Sequence, residues 1–326
     1  MEISNVADLV GPAALVTLED ASVLRGRSPL VLVEPGSLHE EEAEAAGATL
    51  RAAATVTVLV GRPGETDDRW VDAVDVCLTD AVDPPRPWVR GDRGAIDDAV
   101  DAHAEAALAL VALLRASAGL DVRSAVAAEA ATYAALMGSE DHRGWIAGRG
   151  PAWPAPTDGP SVTTDRDAGL LTVTLDRPAS RNAVDRPLRD ELVDALALAL
   201  VDDTVEAVDL RGAGLDFCAG GDLREFGTTT DPATALAVRL TRHPGWSAHL
   251  VADRLTAHLH GHCIGAGIEI PAFAGRVVAD PGTRIRLPEL DLGLVPGAGG
   301  TVSLTRRIGR HRTNWLALTG AEIDAA

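Results

Sequence analysis

Residues 170–210 read LLTVTLDRPASRNAVDRPLRDELVDALALALVDDTVEAVDL, and three local patterns follow one another there. Leu170–Leu175 alternates side-chain character as a strand does. DRPASRNAVD (176–185), with its proline and small polar residues, predicts a turn. Arg186–Leu200 sets Leu188, Leu192, Ala195 and Leu196 mostly at i, i+3, i+4 spacing, a helix with one apolar face. Val205–Leu210 returns as a short strand. Strand, helix, strand in this order favours a parallel sheet with helices on its faces, an α/β fold.

The 326 residues are 46% hydrophobic and 24% charged, the balance of a globular chain of one large or two ordinary domains. The net charge is -19 and all 29 basic residues are arginine, which removes Schiff-base lysine and P-loop lysine chemistry. So acidic a chain is a poor partner for nucleic acid. The opening MEISNVADLVG is unlike a signal peptide, and no run nears the ~20 apolar residues of a membrane span. Cys77, Cys218 and Cys263 form no CxxC pair, so a cytoplasmic protein is expected.

GPAWPAPTDGP (150–160) interrupts regular structure and is the expected boundary between domains at 1–155 and 160–326. The first 160 residues carry 26 acids against 12 arginines, and the remainder 22 against 17, so the halves differ in charge as well. In the first, Leu30–Val33, Thr55–Val60 and Ala73–Leu78 read as strands, with a helix between the first two. Ala95–Ala116 reads as one long helix and is followed by a second through Met137.

Two glycine-rich turns carry the chemistry. In RGAGLDFCAGGDL (211–223), Gly220 and Gly221 permit a tight turn that Asp222 can fix by accepting backbone N–H bonds. An amide near Ala219 either faces an incoming carbonyl oxygen or belongs to an ordinary loop. In LTAHLHGHCIGAGIEIPAFA (255–274), a helix starting near Ala266 would aim unpaired N–H groups at an oxyanion, with Glu269 in its first turn. Pro271 is tolerable only within that first turn. Glu289 follows Pro288 in RIRLPELDLGLVPGAGGTVSLTRRIG (284–309). Glu269 and Glu289 form an acid/base pair if they meet; otherwise one is a cap and the other a solvated helix residue. His258, His260 and His262 alternate, but a strand separates i and i+4 by roughly 13 Å, so no metal site is expected. Cys218 and Cys263 read as buried packing residues.

Together these segments resemble the enoyl-CoA hydratase/isomerase (crotonase) superfamily over about 165–326: LTVTLDRPASRNAV, AVDLRGAGLDFCAGGDLREF, HGHCIGAGIEIPAFAG and RIRLPELDLGLVPGAGGTVSLTRRIG. The resemblance implies a crotonase-like spiral of ββα units, an acyl-CoA substrate with coenzyme A as part of it, no separate cofactor, and a homo-oligomer, trimer or hexamer. It assigns Ala219 and Ala266 as oxyanion donors and Glu269 and Glu289 as the two hydratase acids, and it sets Arg181, Ala183, Gly220 and Asp222 along the bound CoA. The implied activity is addition of water to an enoyl-CoA, or its removal, through an enolate. An isomerase, a thioester hydrolase and a non-catalytic acyl-CoA-binding subunit are the alternatives.

Four positions depart from the pattern: His260, Pro271, Gly275 and Arg286. Arg286 is expected either to redirect substrate choice or to pair with Glu289 and weaken it as a proton donor. Family members continue beyond LTGAEIDAA (318–326), whereas VRSAVAAEAATYAALMGSEDHRGWIAGRGPAWP (122–154) resembles their closing helices. The first half is then a degenerate copy of the fold or a permuted tail, and residues 95–150 are expected to cover the pocket.

Overall fold

The computed structural model describes residues 2–3, 28–33, 40–150 and 159–325. The chain forms two compact units. One comprises Met1–Ala118 with Ile308–Thr319, and the other Gly119–Arg307 with Gly320–Ala326. The division therefore does not follow the expected boundary at 155–160, and residues 151–158 of the proline-rich stretch lie outside the described residues.

In the first unit, Glu2–Ile3, Leu30–Val33, Val56–Val60, Val76–Thr79 and Val89–Arg90 form a wholly parallel sheet in sequential order. The strand expected at Ala73–Leu78 begins later. Asp67 accepts the Arg69 N–H and caps a helix over Asp68–Ala73. The long helix expected at 95–116 is two, Arg93–Ala102 and Ala104–Ala116, because His103 leaves the helical region at φ -133°, ψ 50°.

Asp75 is buried between these strands and helices. It accepts the Thr57 N–H (2.9 Å) and hydroxyl (2.8 Å) and pairs with Arg115 and Arg310, while its carbonyl accepts Asn314 Nδ2–H (3.1 Å). The helix Arg310–Thr319 is held in this unit by such bonds, across more than 230 residues of sequence. Asp75→Ala removes the shared counter-charge of two largely buried guanidinium groups and is expected to cost about 3–5 kcal/mol in a denaturant melt of the whole chain. A melt unchanged from wild type would show that this network does not stabilise the unit.

The second unit holds the five-stranded sheet Arg276–Ala279, Leu255–Leu259, Ala207–Gly212, Leu170–Leu175 and Val162–Asp167, in that spatial order. Its neighbours run parallel except for the last pair. Leu171, Val173 and Leu175 are buried, as their alternation requires. The helix Arg186–Val201 is capped by Asp185 and buries Leu188, Leu192 and Leu196. A smaller sheet pairs His262–Ile264 with Arg284–Arg286 and then with Ile323–Asp324. The helices Val122–Leu136 and Glu140–Gly148 also belong to this unit. Val122, Ala125, Val126, Ala130 and Tyr133 form the buried stripe of the first, and Glu129 lies among them. Among the described residues, no helix is long and apolar enough to cross a membrane.

Candidate active site

The two glycine turns lie side by side. Cys218 N–H donates to the His262 carbonyl (3.1 Å), and Ile264 N–H donates to the Cys218 carbonyl (3.0 Å). Gly220, at φ +94°, lies so close that a Cβ there would stand 2.9 Å from the Ile264 oxygen. A helical turn over Ala266–Glu269 follows, then a 3₁₀ turn over Pro271–Phe273. Pro271 thus ends the α-helix instead of sitting inside its first turn.

The first amide donor is corrected by this geometry. Ala219 N–H is spent on the Arg181 carbonyl (2.9 Å), and Ala219 does not line the cavity. Gly221 and Ala266 do line it. Among the described residues, neither of their N–H groups has an acceptor in the chain. Unpaired amides facing a cavity are the arrangement that receives a developing negative charge. The cavity measures about 510 Å³.

Glu269 and Glu289 come together at its wall. Gly265 adopts φ +50°, and a Cβ there would stand 2.3 Å from Glu289 Oε1 and 3.8 Å from Glu269 Oε1, so only glycine leaves room for both acids. Glu269 is 1% exposed, and its Oε2 accepts N–H bonds from Ala298 and Gly300, both 2.8 Å. Glu289 Oε2 is buried with no hydrogen-bond partner. Burial raises the Glu269 carboxyl to about 7 against the pull of those two amides. Burial and the Glu269 charge hold Glu289 well above the ordinary carboxylate range. Unequal amide support therefore separates the pair into a better base and a better acid.

A third carboxylate was not singled out from sequence. Glu129 is wholly buried; its Oε1 accepts Gly299 N–H (2.7 Å), and its Oε2 accepts the Thr301 N–H (3.0 Å) and hydroxyl (2.6 Å). Four successive amides, 298 to 301, thus alternate between Glu269 and Glu129. Burial and the Glu269 charge push Glu129 up to about 8. Its signal in the sequence is an acid on the apolar face of an alanine-rich helix, three residues after Val126.

The other expected positions sort as follows. Of Arg181, Ala183, Gly220 and Asp222, only Asp222 lines the cavity. It pairs with Arg224 and accepts the Arg224 N–H. Arg181 pairs with Asp216 (2.6 Å), whose carboxyl it holds far below the ordinary range. Arg286 does not pair with Glu289 but with Asp291 (2.8 Å), and it also donates to the Gly320 carbonyl (2.6 Å). The histidines diverge: His258 meets Asp209, His260 the Gly214 carbonyl, and His262 Asp216. Cys218 and Cys263 are buried, with thiols pushed up to about 12, inert as nucleophiles at neutral pH. Of the helical residues expected to cover the pocket, Tyr133, Met137 and His142 line it.

Fold and site together define an α/β protein with two free amides and a carboxylate pair in one cavity. Residues 165–326 match the enoyl-CoA hydratase/isomerase family model, and this part of the chain belongs to that family. It is 35% identical over 165 residues to the 2,3-dehydroadipyl-CoA hydratase of Escherichia coli strain K12, covering 50% of this chain and 64% of that one. It is likewise 35% identical over 159 residues to the mevalonyl-coenzyme A hydratase of Beauveria bassiana, covering 46% and 57%. The chain thus spans less than two thirds of the length of these relatives. A crystal structure of an enoyl-CoA hydratase from Bacillus anthracis is similar at 28% identity and a TM-score of 0.46, over 51% of this chain and 65% of that one.

Proposed function

We propose that the protein hydrates 2-enoyl-CoA thioesters, or dehydrates 3-hydroxyacyl-CoA. The observation that carries this reading is the pair of unpaired amides, Gly221 and Ala266, in the same cavity as two unequally supported acids. The thioester oxygen sits between the two N–H groups. Glu269 takes a proton from water as the water oxygen bonds to C3, and the C2=C3 electrons move onto the thioester oxygen. Each such donor supplies about 2.7–4 kcal/mol toward that charge. Glu289 then gives its proton to C2 as the enolate collapses. The adjacent acids exchange the remaining proton, which restores the starting state. Water addition changes no oxidation state, so the reaction needs no cofactor beyond the CoA of the substrate.

The helices Val122–Leu136 and Glu140–Gly148 serve as the closing helices of the 165–326 segment, a reading supported by their three cavity residues. The parallel sheet of the first unit favours a degenerate copy of the crotonase-like spiral over a permuted tail. The protein acts in the cytoplasm as a homo-oligomer, trimer or hexamer.

Turnover of crotonyl-CoA, followed as loss of the conjugated enoyl absorbance, tests the activity. Its kcat/KM is expected to rise as pH climbs through about 7, where Glu269 loses its proton, and to fall at higher pH as Glu289 loses its own. Tight CoA binding without turnover of any enoyl chain, or a profile that stays flat between pH 5 and 9, would overturn it.

A further inference from the structure

The wall of the cavity carries two buried side-chain nitrogens without acceptors. Arg239, in the last turn of the helix Pro232–Thr241, lines it, and its Nε is buried with no partner. Among the described residues its guanidinium makes no ion pair. Its packing partner is Tyr133, whose ring centroid lies 3.7 Å from the guanidinium carbon. That ring in turn lies against Gly297, where a Cβ would come within 2.3 Å of Tyr133 Cδ2. The guanidinium plane is thereby held by stacking instead of by a carboxylate.

The other cations of the wall are accounted for. Arg189 pairs with Asp190, Arg242 pairs with Asp190 and Asp194, and Arg186 is exposed to solvent. Four residues beyond Arg239, His243 is 4% exposed and also lines the cavity. Its Nδ1 accepts the Trp246 N–H (3.1 Å), so the neutral ring carries its proton on Nε2, which is buried without an acceptor. Two neighbouring desolvated donors, one of them cationic, are costly to maintain unless a ligand brings an acceptor to them.

We infer that the cavity accepts acyl thioesters whose far end carries a carboxylate, held by Arg239 with His243 beside it. This deepens the proposed hydration of enoyl thioesters and rests on that placement of the thioester at Gly221 and Ala266. A planar guanidinium whose buried Nε–H lacks an acceptor gives a carboxylate oxygen a directed, charge-assisted contact that a flexible ammonium group does not reproduce.

The test compares saturated CoA esters by calorimetry: glutaryl-, adipyl- and pimelyl-CoA, each against the unsubstituted acyl-CoA of the same chain length. In the whole wild-type chain, at least one diacid is expected to bind tenfold or more tighter than its partner. Arg239→Met is expected to abolish that ratio while leaving the unsubstituted ester within threefold. Arg239→Lys should recover only part of it, and thermal melts establish that both variants are folded. The inference fails if no diacid is preferred at any length. It also fails if Arg239→Met weakens both ligand series alike and shifts the pH profile, because Arg239 would then be a counter-charge for Glu269. Saturated esters undergo no hydration, so a diacid preference without enoyl turnover would leave this inference standing and sink the hydratase reading alone.

Discussion

Glu269→Gln and Glu289→Gln are each expected to lower kcat on crotonyl-CoA by about 10²–10⁴-fold, the usual worth of a positioned general acid or base. Both amides that hold Glu269 bond to the same oxygen, Oε2, so a glutamine oxygen can take over both bonds. Glutamine is therefore expected to preserve the fold while removing the base. Glu289 Oε2 has no donor to lose, and its replacement should be still gentler on stability. The two variants differ in their residual pH dependence. Glu269→Gln loses the rise through about 7, whereas Glu289→Gln loses the fall at higher pH. Steady-state kinetics across pH measures this directly. Two folded variants with full turnover would end the acid/base assignment.

Glu129→Ala is expected to be the most damaging change in the second unit. Three donors, Gly299 N–H, Thr301 N–H and the Thr301 hydroxyl, would be left buried, each at about 1–3 kcal/mol if water does not enter. The alternating amides couple that loss to chemistry, because Ala298 and Gly300 in the same turn orient Glu269. A fall in melting temperature should thus accompany a fall in kcat, with KM changing less. Glu129→Gln keeps one acceptor oxygen and should recover part of both. Wild-type stability and turnover in the alanine variant would show that the turn is held without this carboxylate.

Several of the candidate site residues are legible in the sequence because local rules govern them. Ala266 and Glu269 follow from glycine spacing and a helix start, and Leu170–Leu175 and Leu30–Val33 from composition and period over a few residues. The first amide was misplaced by two positions because several N–H groups crowd the turn at 218–222. Pairing with distant carbonyls, Arg181 to Ala219 and Val184 to Asp222, removes two of them, and the cavity wall then selects Gly221 over Gly220. The partners of Arg286, Asp291 and the Gly320 carbonyl, are likewise set by the tertiary structure.

Amphipathic period and turn chemistry are properties of neighbouring residues, so the α/β character, the two glycine turns and the candidate acids could be read directly from the chain. The division into units could not, because it depends on which buried faces meet. Arg310–Thr319 joins the first unit through bonds to Val74 and Asp75, while Glu129 ties Val122–Leu136 to residues 299–301. Those partners lie roughly 170 to 240 positions apart, beyond the reach of any local pattern. Folding alone brings such groups within hydrogen-bond distance, and there burial makes leaving them unpaired costly.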